Sequence, residues 1–153
     1  VATGLKIKWE AIPGLVDTIG KNGVTSNYSY DYSPYTWELV KQMKSGKAIF
    51  TQPPMPIKCP GAPQKAMYLS CYEWEKQGKL KNIEVELNNA GAALFGVADF
   101  VPPLMEYVKK YDATLCKSQS KFFSKKWNHN SIRRCKTSHN GENYNSRSYR
   151  NMI

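Results

Sequence analysis

The chain has 153 residues, of which 22% are charged and 12% aromatic, which suits one domain with a core and excludes a disordered or fibrous class. Its net charge of +10 invites a nucleic-acid partner, yet nine Lys and Arg against the single acid Glu142 fall in 117–153, leaving the body nearly neutral at +2. Four cysteines, at 59, 71, 116 and 135, form no CxxC pair and no metal-ligand spacing, so mostly free thiols are expected, and no run approaches transmembrane length.

The chain opens on Val1-Ala2-Thr3-Gly4, which reads as the end of a buried strand already under way and suggests part of a longer protein. From Ala2 to Tyr32 the sequence is loop-like, with Pro13, Gly14, Gly20, Asn22-Gly23 and the aromatics Tyr28, Tyr30 and Tyr32, which read as surface packing. A first helix is expected over Pro34 to Ser45, with Ser33 as N-cap, Pro34 in the first position and Gly46 as the stop. Trp37, Leu39, Val40 and Met43 give it an apolar face. Ala48 to Thr51 reads as a short buried strand. A second helix should span Pro63 to Gln77, closed by Gly78, with Ala66, Met67, Ser70, Cys71 and Trp74 facing a sheet and Gln64 and Lys65 elsewhere. Ile83 to Leu87 alternates as a strand, with Glu84 and Glu86 on a solvated face. Asn88 to Gly96 reads as a turn, Pro102-Pro103 to Tyr111 as a third helix, and Ala113 to Cys116 as a last strand. Strands alternating with helices imply βαβ units: an α/β fold, a partial Rossmann-like βαβαβ parallel sheet. Past residue 116 the pattern is lost, and a disordered or non-native basic tail is expected.

The residues between the first strand and the second helix carry the chemistry. Cys59 lies in a tight loop, Pro56-Ile57-Lys58-Cys59-Pro60-Gly61-Ala62-Pro63, beside Lys58 and Lys65 and near a helix N-terminus. Those surroundings favour a reactive thiolate. A pyrophosphate site would need glycines and free N–H groups here. Prolines 53, 54, 56, 60 and 63 remove five donors and leave Gly61 alone, so the loop is unsuited to NAD. The prolines instead hold the thiol in a fixed direction. Cys71 reads as a small core residue; His129 and His139 are isolated and make no metal site.

Val1-Ala2-Thr3-Gly4 resembles the Ala-Thr-Gly segment after the FAD-binding part of two-dinucleotide-fold flavoproteins. Ala48 to Thr51, then Pro56 through Ser70, and Ala93-Leu94-Phe95-Gly96-Val97 resemble the sulfide:quinone oxidoreductases, over about residues 1–115. The resemblance implies an FAD cofactor, sulfide as electron donor, a sulfane-sulfur acceptor, a membrane quinone, and peripheral attachment to a bacterial or mitochondrial inner membrane. It implies that Cys59 is a redox cysteine carrying sulfane sulfur, that Ala2, Thr3 and Gly4 lie against the cofactor, and that Lys65 helps hold the thiolate or the reduced flavin. It divides the chain into the end of an FAD-binding region with a connecting segment (1–46), a partial Rossmann-like second domain (47–116) and the basic tail (117–153).

The sequence departs from the family in lacking the GxGxxG of the FAD site, the second redox cysteine and the C-terminal membrane-binding helices. The chain by itself is therefore expected not to turn over, and a truncated or frame-shifted reading frame would account for the tail. Two other readings stand beside this one. A flavoprotein subunit of a sulfide dehydrogenase would pass its electrons to a cytochrome. A nucleic-acid module would use Lys125-Lys126-Trp127 and Arg133-Arg134 with the neighbouring aromatics; with a nearly neutral body, no nucleic acid is expected.

Overall fold

The structure, a computed structural model, describes residues 1–117. The readings for 118–153, including the basic tail and its nucleic-acid alternative, lie outside the described residues. A 3-10 turn at Trp9–Ala11 and a short helix α1 (Leu15–Thr18) lead into helix α2 (Ser33–Gln42). Strand β1 (Gly46–Gln52), helix α3 (Ala62–Lys76), strand β2 (Ile83–Asn89), helix α4 (Val101–Lys110) and strand β3 (Thr114–Lys117) follow. The sheet is entirely parallel, in the order β1-β2-β3, with Gly46 opposite Ile83, Gln52 opposite Asn89 and Leu87 opposite Leu115. A helix makes each crossover, which is the connection that parallel neighbours require. The expected α/β fold is the observed one.

Sequence chemistry sets the element boundaries. Prolines occupy the first turns of α2, α3 and α4, where their missing N–H groups cost nothing. Gly78, at φ +68, ends α3 in the left-handed conformation, and the Lys79 amide closes onto the Trp74 carbonyl at 2.8 Å. Asp112 at φ 51 ends α4 in the same way, with the Ala113 amide on the Val108 carbonyl at 2.9 Å.

Three boundaries differ from expectation. In α2, Ser33 is the first helical residue and its hydroxyl donates back to the Ser29 carbonyl at 2.6 Å, so Tyr32 is the N-cap. That helix stops at Gln42, and Gly46 starts β1 instead of closing the helix. Asn88 and Asn89 belong to β2, paired with Thr51 and Gln52, rather than to a turn.

One core joins the sheet to its helices. Ala48 and Phe50 of β1, Ile83, Val85 and Leu87 of β2, Met67, Cys71 and Trp74 of α3 and Val108 of α4 are all buried. Full burial of each large apolar side chain is worth about 1.5–3 kcal/mol. Trp74 is completely enclosed, packs near Phe50, and its indole N–H donates to the Val40 carbonyl at 2.9 Å. This bond fixes the end of α2 against α3. Trp37, expected on the apolar face of α2, is 48% exposed and lies under the Lys41 ammonium.

The opposite face of the sheet is covered as well. Ile49, Glu86 and Asn88 are buried there, as befits a parallel sheet. The solvated face expected for Glu84 and Glu86 therefore holds for Glu84 alone. Glu86 is buried, pairs with Lys47 Nζ at 3.0 Å and accepts from Asn88 Nδ2 at 2.7 Å. Lys47 also meets Glu84 at 2.6 Å.

Candidate active-site loop at the ends of the parallel strands

In a parallel α/β sheet, ligands meet the loops that follow the carboxyl ends of the strands. Two such loops stand side by side here: 53–61 after β1, with Cys59, and 90–100 after β2, with Leu94 and Phe95. The buried amides of Gln52, Gln64 and Asn89 join them. Gln52 and Asn89 face each other at the last register position of β1 and β2, and the Gln52 carbonyl accepts the Ala90 amide at 3.0 Å. Asn89 donates to the Ala93 carbonyl and accepts the Gly91 amide, both at 2.8 Å. Gln64, in the first turn of α3, donates to the Leu94 carbonyl and, at 3.5 Å, to Gln52 Oε1. Its own Oε1 is buried with no hydrogen-bond partner among the described residues. Gln64 was expected away from the packing face, but this backward reach to Leu94 buries it.

Cys59 is exposed and adopts φ +54, the left-handed region. For a residue with a Cβ that conformation costs about 1–2 kcal/mol. Its carbonyl accepts the Ala62 amide at 3.0 Å, so the cysteine closes the turn from which α3 starts. The Met55–Pro56 peptide in the same loop is cis. The phenol of Tyr28, from the segment ahead of α2, donates to the carbonyls of both Lys58 and Cys59, at 2.9 and 3.0 Å. Burial, and then the charge of Cys59, raise the Tyr28 phenol above its ordinary 10.0. Tyr28 had read as surface packing. A contact across 30 residues has no local signal in the sequence.

The other expected site residues are placed separately. Lys65 is exposed on α3, its amide bonded to the Gly61 carbonyl at 2.9 Å. It borders a groove of about 370 Å³ walled by Gly61, Tyr68, Phe95, Phe100, Leu104 and Tyr107. Ala2, Thr3 and Gly4 are exposed ahead of the first turn, and among the described residues no hydrogen bond joins them to the Cys59 loop. Their amides and the open space at Gly4, φ +69, leave backbone free to meet a bound group. The proline-filled loop of 53–61 does not fit a dinucleotide pyrophosphate.

The remaining cysteines differ in state. Cys71 is free but fully buried, and burial, with Glu75 beside it, pushes its thiol up to about 12. Cys116 is disulfide-bonded, whereas Cys59 and Cys71 are free.

No family model matches the chain. It is similar to three curated proteins, each named a mitochondrial sulfide:quinone oxidoreductase. The identity is 42% over 111 residues with that of Dictyostelium discoideum, 36% over 115 with that of Mus musculus and 32% over 107 with that of Schizosaccharomyces pombe. The matches cover 72%, 75% and 69% of this chain, and the chain spans about a quarter of the relatives, 25%, 26% and 23%. No helix of the described residues is long and apolar enough to cross a membrane.

Proposed function

From a chain homologous to one quarter of the length of the sulfide:quinone oxidoreductases, we propose a segment of an FAD-dependent enzyme that oxidises sulfide to sulfane sulfur and passes the electrons to a membrane quinone. The observation that carries this reading is the Cys59 loop: an exposed thiol in a strained, proline-bounded turn at the carboxyl end of a parallel strand, inside the matched stretch. FAD, when bound, supplies the two-electron acceptor. This chain supplies the sulfur. Cys59 is the residue on which sulfane sulfur is carried, and its exposure lets sulfide reach it. The loop prolines withhold the donors a second dinucleotide would need, so this half of the fold is left to present the thiol.

Lys65 stands in the first turn of α3, six residues after Cys59, and supplies a positive charge on the same rim. Ala2 to Gly4 offer unbonded backbone to the flavin. The relatives are named mitochondrial, which favours a mitochondrial over a bacterial setting; the proposed place is the inner membrane, with peripheral attachment through other parts of the protein. On this reading the chain alone does not turn over, since the second redox cysteine and the GxGxxG of the FAD site have no counterpart in it. The test is C59S in the full-length protein, followed by the bleaching of the flavin on addition of sulfide. Loss of sulfide-dependent reduction with the flavin still bound is expected; reduction at a near-normal rate refutes the role. A cytochrome acceptor instead of a quinone would show as quinone-independent turnover.

A further inference from the structure

We infer that Tyr28 is a positioning residue for the Cys59 sulfur: one phenol ties two successive carbonyls together and so locks the cysteine between them in its left-handed turn. This rests on the reading of Cys59 as the sulfur carrier and adds a residue to that site.

The argument is geometric. In an extended chain, successive carbonyls point to opposite sides. A single donor reaches both only where the residue between them curls, and here the phenol oxygen lies 2.9 Å from the Lys58 carbonyl and 3.0 Å from that of Cys59. Cys59 is the residue that curls, at φ +54. Left alone, a residue with a Cβ would relax out of that region, turning both its carbonyl and its thiol. The Ala62 amide holds the Cys59 carbonyl from the helix side; Tyr28 holds it from the other.

Tyr28 is itself anchored. Its amide donates to Ser26 Oγ at 3.2 Å, while Thr25 Oγ1 donates to the Tyr32 carbonyl at 3.1 Å and meets Thr36 Oγ1 at 2.8 Å. Those contacts fasten the segment to the first turn of α2, which Trp74 fastens to α3. The clamp thus closes through the body of the fold. Burial raises the phenol above its ordinary value and the charge of Cys59 raises it further; Lys58 is the cation next to that cysteine in the sequence.

The test uses the whole 153-residue chain and needs neither sulfide nor flavin, so its outcome is independent of the oxidoreductase reading. Y28F removes only the hydroxyl. Exchange of the Ala62 amide, followed by NMR, is expected to quicken about fivefold, the effect of one lost hydrogen bond. Alkylation of Cys59 by iodoacetamide is then measured against pH by peptide mass spectrometry, with buried Cys71 as an internal report of folding. In the wild type the rate is expected to depart from a single titration curve as the phenol ionises and releases both carbonyls, and Y28F is expected to lose that departure. Fluorotyrosine at position 28, a more acidic phenol, keeps the clamp near neutrality and moves the departure to lower pH. Equal Ala62 exchange and superimposable profiles in wild type and Y28F, with Cys71 unmodified, overturn the proposal. Should Y28F expose Cys71, the fluorotyrosine chain decides: an unmoved profile overturns the role and a shifted one supports it.

Discussion

Asn89→Ala tests the junction between the two site loops. The side chain is 1% exposed and makes two hydrogen bonds of 2.8 Å, one to the Ala93 carbonyl and one from the Gly91 amide. Each is worth about 0.5–1.5 kcal/mol net, so their joint loss costs about 1–3 kcal/mol. Water reaching the opened loop keeps the value from rising further. With a urea slope of about 1–3 kcal/mol per molar, the unfolding midpoint falls by about 1 M. Asn89→Asp separates the two bonds. It keeps the acceptor for Gly91, loses the donor to Ala93, and sets a buried carboxylate against a carbonyl, so near neutral pH it destabilises at least as much as alanine. Lowering the pH protonates that carboxyl, restores a donor, and narrows the gap to wild type. Urea titrations followed by circular dichroism read both. A midpoint for Asn89→Ala within about 0.2 M of wild type, well below the expected shift, would refute the claim that this amide holds the loop.

Two further outcomes follow from the core and the second sheet face. Trp74→Phe keeps an aromatic ring but leaves the Val40 carbonyl, near the end of α2, without its donor; the lost bond and lost volume together cost about 2–4 kcal/mol by chemical denaturation, while Trp37→Phe, at an exposed site, stays within about 0.5 kcal/mol. Lys47 is raised above 10.5: burial opposes its charge, and the bonds to Glu84 and Glu86 outweigh that opposition. Its folded value exceeds its unfolded one, so its contribution is full below 10.5 and is lost as pH rises through the folded value. Lys47→Met, which leaves Glu86 buried without that cation, is expected to destabilise by about 2 kcal/mol at neutral pH, and the difference from wild type should shrink only above pH 10.5 in paired melts.

The frame of the site was legible in the sequence because its signals are local. Proline in the first turns of three helices and Gly78 after α3 mark boundaries by sterics alone, and the valine and isoleucine of β2 mark a strand by alternation. What escaped was set by tertiary structure. Glu86 follows the outward beat of its strand, yet a covered second face turns that beat inward and leaves Lys47 to pair with it. Gln64 follows a proline at a helix start, where polar residues usually meet water, but the neighbouring loop brings a carbonyl over it. The cysteine and prolines of 53–61 are visible in the sequence, whereas the loop's place at the carboxyl end of β1 follows from the strand order. The left-handed turn of Cys59 had no glycine or asparagine to announce it, and its clamp lies 31 residues upstream.

Gln64 has a consequence for how this region tolerates exchange. It stands on the helix that the cysteine turn initiates, and it grips the turn that follows the middle strand. The turn of 91–94 and the first coil of α3 are therefore tied through one side chain: replacing Gln64 by alanine would leave the buried Leu94 carbonyl without that donor and loosen both.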